Sequence, residues 1–197
     1  MNYLAHAYFS FNNPPILLGN MISDYVKGKK QYDYPPEIQK GIRLHRLIDT
    51  FTDEHQITKE IKKIFSSSVR LYAGAFVDVV YDHFLATNKT ILNEEEWLAF
   101  TQTSYELLAV QSTYFPEKFA QMFPYMQSQN WLFNYRYIWG IENSFGGLVR
   151  RAKYLDSSEE AFVAFNNNYP EIEALSAIFL ADVKVFASNQ FQGLISQ

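Results

Sequence analysis

The sequence predicts an all-α fold, and three observations lead to it. Helix-type starts and stops recur along the chain, apolar residues fall at helical spacing, and strand-like alternation is scarce. Its 197 residues fit a single all-helical domain spanning 1–197, built from roughly eight to ten helices of ordinary length. Hydrophobic residues at 48% against charged residues at 19% provide for a packed core and set the chain apart from disordered ones. With 14 Tyr and 17 Phe, that core should be rich in rings.

The elements follow in order. Asn12-Asn13-Pro14-Pro15 is a helix entry, with asparagine as cap and proline in the first turn. The helix it opens, 16–26, is expected to stop at Lys27-Gly28, where glycine suits a C-terminal end. Asp33 to Glu37, with two prolines, starts a second helix that runs to about Phe51. Thr52 or Asp53 is expected to cap a third, through about Phe65. The run Val69 to Ala86 is apolar or aromatic nearly all round past its first turn, the mark of a buried helix. Asn93 before Glu94, Glu95 and Glu96 is a strong start, with acids at the positive end of the macrodipole. Pro116, Pro124 and Pro170 mark later entries or kinks, and Ser157 with Glu160 spells a capping box.

Composition narrows the function classes. The absence of cysteine excludes disulfides and thiolate metal sites and is compatible with a cytoplasmic location. The opening MNYLAHAYFS lacks the basic region of a signal peptide. No apolar run approaches the roughly 18 residues of a membrane helix, so no membrane partner is expected. A net charge of -4 argues against nucleic acid as a partner.

The buried run carries charges its surroundings should reject. Asp78 and Asp82 lie four apart on one face, and His83 follows. Buried carboxylates neutralise, pair with a cation or coordinate a metal. His45 and Asp49, also four apart, project from another helix among Ile42, Leu44, Leu47, Ile48 and Phe51. Alone, a His–Asp pair is either a local hydrogen bond or part of a metal site. Asp78 or Asp82 alone has Arg43, Arg46 and Arg70 as available partners. Taken together the five favour a metal site. His and carboxylate donors without thiolates suit Mn²⁺, Mg²⁺ or Fe²⁺ better than structural Zn²⁺. His6, in an apolar stretch, is a core histidine or a ligand. Asp24 gains nothing from the negative end of its helix, so it is either incidental or functional.

With these residues in view, the chain resembles the acyl carrier protein phosphodiesterases, divergent relatives of the HD phosphohydrolases. The resemblance rests on Asn2 to His6, Gly19-Asn20 with Asp24 and Gly28, and Gly41-Ile42 with His45-Arg46 and Ile48-Asp49. Asp78, Asp82 to Leu85, Trp131-Leu132, Tyr135 and Arg150-Arg151 extend it to about residue 155. In two places the chain departs from the wider HD pattern: Asp82 precedes His83, and His45 is followed by Arg46. The resemblance implies hydrolysis of the phosphodiester joining 4′-phosphopantetheine to a serine of holo-acyl carrier protein, within fatty acid biosynthesis, with Mn²⁺ as the ion. It implies Asp24, His45, Asp49, Asp82 and His83 as metal ligands, with Asp78 as a further ligand or an orienter. His6 would orient a ligand or protonate the leaving oxygen.

Carrier proteins are acidic, so a local basic surface would help despite the negative total. Lys27, Lys29 and Lys30 follow Asp24, and Lys27 is the candidate nearest the site. Lys59, Lys62 and Lys63 read as a solvated face, and Lys153 accompanies Arg150 and Arg151. Arg46, Arg150 and Arg151 are the phosphate candidates, because guanidinium grips phosphate oxygens bidentately. The aromatic region from Trp97 to Phe145 reads as core, with Tyr114-Phe115, Phe123-Pro124-Tyr125 or Trp131 the alternatives for a groove. The rival functions are an HD-like phosphohydrolase acting on a nucleotide or small phosphate ester, and a non-catalytic helical binding protein.

Overall fold

The computed structural model describes residues 1–196, and among them every regular element is helical. Eleven α-helices form: α1 Tyr3–Tyr8, α2 Pro14–Ile22, α3 Pro36–Glu54, α4 Gln56–Val69, α5 Ala73–Thr87, α6 Glu94–Ala109, α7 Glu117–Ser128, α8 Trp131–Asn134, α9 Ile138–Arg151, α10 Glu159–Asn167 and α11 Tyr169–Ile195. The count exceeds the expected eight to ten because α1 has six residues and α8 four, too short to announce themselves by periodicity.

Local capping explains which boundaries were foreseen. The Asn13 side chain accepts from Ile16 N at 3.2 Å, and prolines open α2. Asn93 accepts from Glu96 N at 3.0 Å while Glu96 accepts from Asn93 N at 2.7 Å, a complete capping box on α6.

Four boundaries differ from expectation. The first long helix ends at Ile22, and a 3-10 turn at Ser23–Tyr25 carries Asp24 out of it. Thr52 caps nothing: it lies inside α3 and its hydroxyl donates to Ile48 O at 2.7 Å. His55 caps α4 instead, accepting from Ile57 N. The run from Val69 is not one helix, because Arg70 adopts φ 48°, ψ −119° and breaks it before α5. At Ser157 no capping box forms, since its hydroxyl takes Glu159 N and Ser158 occupies the cap position.

Helix α5 is the axis of the core, buried almost all round as its composition requires. It packs against α1, α4, α9 and α11, the last a 27-residue helix that also crosses α3. Phe76 meets Phe145 at 4.6 Å, and Tyr81 stacks on Phe179 at 3.9 Å while its hydroxyl bonds Thr58 at 2.9 Å. Each such buried ring contributes about 1.5–3 kcal/mol by leaving water.

The crossing of α2 over α3 positions the site. A Cβ on Gly41 would sit 2.9 Å from Gly19 Cα, and one on Gly19 would sit 2.7 Å from Gly41 Cα. Two glycines therefore let the backbones meet closely, which sets the height of α2 against the middle of α3.

Candidate active site

That crossing brings the Asn20 carbonyl of α2 within 2.8 Å of His45 Nδ1 on α3. A carbonyl can only accept, so Nδ1 carries a proton and donates it. His45 Nε2 then faces Asp49 Oδ2 at 3.0 Å and Asp24 Oδ1 at 3.3 Å. A neutral ring has no second proton to offer, and a lone pair aimed at two carboxylates is repulsive. Either a second proton or a cation must lie between them. Without a metal the proton serves: burial opposes charging of His45, but hydrogen bonds with Asp24 and Asp49 outweigh it and raise its pKa to about 9.

His6 completes the cluster from α1. Its ring stacks on His45 at 3.8 Å, and its Nε2 lies 3.1 Å from Asp49 Oδ1. Burial, then the neighbouring His45 charge, lowers its pKa to about 4. A neutral His6 donates Nε2–H to Asp49, and its Nδ1 is buried without a partner. For Asp49, burial works upward, yet the Met1 amine and the hydrogen bonds of both histidines hold its carboxyl well below the usual range. Asp24, bonded to His45, is also lowered despite partial burial.

His6, His45 and Asp49 offer nitrogen and oxygen donors all within 4.8 Å of one another. With Asp24 opposite, this nitrogen-and-carboxylate set, already oriented by the Asn20 carbonyl, fits a hard or borderline divalent cation. Asp24, His45 and Asp49 line a cleft of about 460 Å³ together with Lys27, Arg46, Thr50 and Asp53. Arg46 is anchored without a carboxylate: its guanidinium donates to Gln31 Oε1 at 2.8 Å and Val26 O at 2.9 Å. Its positive charge is left for an anion.

The other expected residues are placed differently. Asp78 reaches the edge of the cluster through Met1, whose amine lies 3.0 Å from Asp78 and 3.3 Å from Asp49. Burial raises the Asp78 carboxyl against that amine. Asp82 does not join the cluster. Its oxygens accept from Leu4 N at 2.7 Å, Asn2 N at 3.2 Å and Ala5 N at 3.3 Å, capping α1 from the core. Burial raises Asp82 to about 7, against the Met1 amine and these three N–H groups. His83 is also elsewhere: Nδ1 donates to Tyr135 O at 2.7 Å, and Nε2 accepts from Tyr169 O–H at 2.8 Å. Neither Asp78 nor Asp82 takes an arginine partner among the described residues. Arg150 and Arg151 line a second cavity with Asn2 and Tyr3.

Sequence reading missed the role of Asn20. Its side chain donates to Ser10 Oγ, which donates to His6 O, so one residue ties both histidine-bearing segments together. The signal was an asparagine on the apolar face of α2.

Comparison with known proteins adds the following. The family described as acyl carrier protein phosphodiesterase matches residues 1–183. The acyl carrier protein phosphodiesterase of Photorhabdus laumondii is 32% identical over 176 residues, covering 89% of each chain. That of Yersinia pestis is 32% identical over 180 residues, covering 91% of this chain and 93% of its own. That of Salmonella paratyphi A is 31% identical over 174 residues, covering 88% and 90%. No solved structure matches, so the all-α expectation rests on the helices themselves and the HD likeness has no structural counterpart. No helix among the described residues is long and apolar enough to cross a membrane.

Proposed function

This chain belongs to the acyl carrier protein phosphodiesterase family, and from that premise we propose that it hydrolyses the phosphodiester joining 4′-phosphopantetheine to a serine of holo-acyl carrier protein. The products are apo-acyl carrier protein and 4′-phosphopantetheine, and the setting is cytoplasmic fatty acid biosynthesis. Support comes above all from His45 Nε2, which faces two carboxylates after its only neutral-state proton has gone to the Asn20 carbonyl. Asp24, His45 and Asp49 would hold Mn²⁺, with Mg²⁺ and Fe²⁺ as alternatives.

When bound, such an ion lowers the pKa of a water and offsets charge developing on the phosphoryl oxygens. The chain's own residues do the rest. Asn20 fixes the His45 ring, and His6 fixes the Asp49 carboxylate through Nε2–H. Arg46, braced on the main chain of Val26, would offer its guanidinium charge to the phosphate, with Lys27 lining the same cleft. Asp78 restrains Asp49 through the Met1 amine that both share.

The test is a mass measurement on holo-carrier protein incubated with this protein and added Mn²⁺. Loss of the phosphopantetheine mass, abolished by chelation and restored by metal, is the expected result. An unchanged mass with Mn²⁺, Mg²⁺ and Fe²⁺ alike would overturn the reading, and a nucleotide panel in parallel would show whether a small phosphate ester is consumed instead.

A further inference from the structure

Resting on that reading, we propose that the cavity between the entry to α1 and the face of α9 seats the pantetheine arm, an uncharged, amide-rich chain with a phosphate at one end. The cavity is about 550 Å³, within the roughly 300–1,000 Å³ of small-molecule sites. It is lined by two arginines and by no carboxylate. Among the described residues neither Arg150 nor Arg151 is ion-paired, so both charges are available to an anion.

The rest of the wall suits the body of such a ligand. Trp131 and the half-exposed Trp139 supply flat apolar surface, and Trp139 is braced by stacking on Tyr137 at 5.5 Å. Asn143 lines the same space, and no hydrogen bond to its side-chain amide occurs among the described residues. An amide offers both a donor and an acceptor, which is what the two amides of pantetheine require. Gly140 on this wall has no room for a side chain, because a Cβ there would run into the backbone of Asn134.

Position connects the cavity to the reaction. Tyr3 lines the cavity, and its hydroxyl bonds the Tyr25 hydroxyl at 2.8 Å, with Tyr25 the residue after Asp24. Asn2, also in the wall, follows Met1, whose amine is 3.3 Å from Asp49. The Tyr3–Tyr25 pair thus ties the cavity wall to the segment that carries Asp24. Arg151 lines the same cavity as Tyr3 and Asn2, the two residues through which the wall connects to Asp24 and Asp49. The phosphate belongs at the end those residues line, with the arm running away along Trp139 and Asn143.

Tryptophan fluorescence tests this without turnover. Trp97 is buried in the core, so Trp131 and Trp139 report the cavity. Titration of the intact protein with free 4′-phosphopantetheine should give a saturable change. Arg151→Glu should weaken that binding at least tenfold while leaving phosphate-free pantetheine nearly unaffected, and Asn143→Leu should weaken both. These residues are exposed, so the variants should fold, and far-UV circular dichroism checks it. No saturable signal, or one unchanged in Arg151→Glu and Asn143→Leu, overturns the cavity assignment. Steady-state turnover separates the two readings. Hydrolysis of holo-carrier protein with an unaltered KM in Asn143→Leu would sink the cavity and leave the reaction standing. Binding of 4′-phosphopantetheine without hydrolysis would sink the reaction and leave the cavity.

Discussion

Two Asp–His pairs in this molecule, made of the same side chains on different helices, have opposite characters. On α5, Asp82 and His83 find every strong partner they need: three N–H groups for the carboxylate, a carbonyl and a hydroxyl for the ring. On α3, His45 Nε2 faces Asp49 and Asp24 with no proton of the neutral ring left for them, so an added proton or a cation must lie between. Complete hydrogen bonding satisfies the first pair, whereas the second is satisfied only with an added proton or cation. Burial does not separate them, since His45 and His83 are both buried.

The comparison breaks most easily by removing one member from each side. Asp49→Asn should lower kcat by about 10³-fold, on the order of 4 kcal/mol of transition-state stabilisation, a loss measured on the folded fraction and so beyond any drop in the urea midpoint. Asp82→Leu should do the reverse. It leaves the Leu4, Ala5 and Asn2 N–H groups unpaired, costing about 3 kcal/mol or more of stability, while kcat of the folded fraction survives. Equal loss of activity in both variants at unchanged stability would erase the distinction.

Gly41→Ala should sharpen it. The added methyl drives α2 off α3, at about 1–3 kcal/mol, and draws the Asn20 carbonyl from His45. Activity should then fall further than the unfolded fraction explains, whereas α5 keeps its hydrogen bonds. A stability loss with full specific activity would show that the crossing does not set the site.

The mildest probe is pH, on metal-free protein. His45 has its pKa raised from 6.5 to about 9, so its contribution to stability is whole below about pH 6.5 and lost as pH rises through 9. His6, lowered from 6.5 to about 4, acts oppositely: the folded state resists its protonation, so stability falls as pH drops from 6.5 toward 4. Asp82, raised from 3.8 to about 7, opposes His6 over the acid range because the folded state holds its proton. In urea midpoints, His45→Gln should flatten the alkaline limb and His6→Gln should lift the acid limb relative to the parent protein, and parallel curves for all three proteins would contradict the assignment.

Much of this was legible beforehand because it is local. Asn13 and Asn93 reach N–H groups three residues away, so their caps are written in the chain. The spacing of His45 and Asp49 places both on one face whatever the tertiary fold. Where a competing local bond existed, reading failed: Thr52 bonds back into α3 instead of capping, and Ser157 takes the wrong N–H for a box. Arg70 gave no sign that the chain would turn there.

The sequence by itself determined that helices form, which stretch is interior, and that acids and imidazoles occur where apolar surroundings make them costly. Tertiary structure alone decided which of those groups have their hydrogen bonds satisfied. The amides that satisfy Asp82 lie 77 to 80 residues away, and the partners of His83 lie 52 and 86 away. Hydrogen bonds of that separation depend on where helices pack, and helical periodicity carries no information about them.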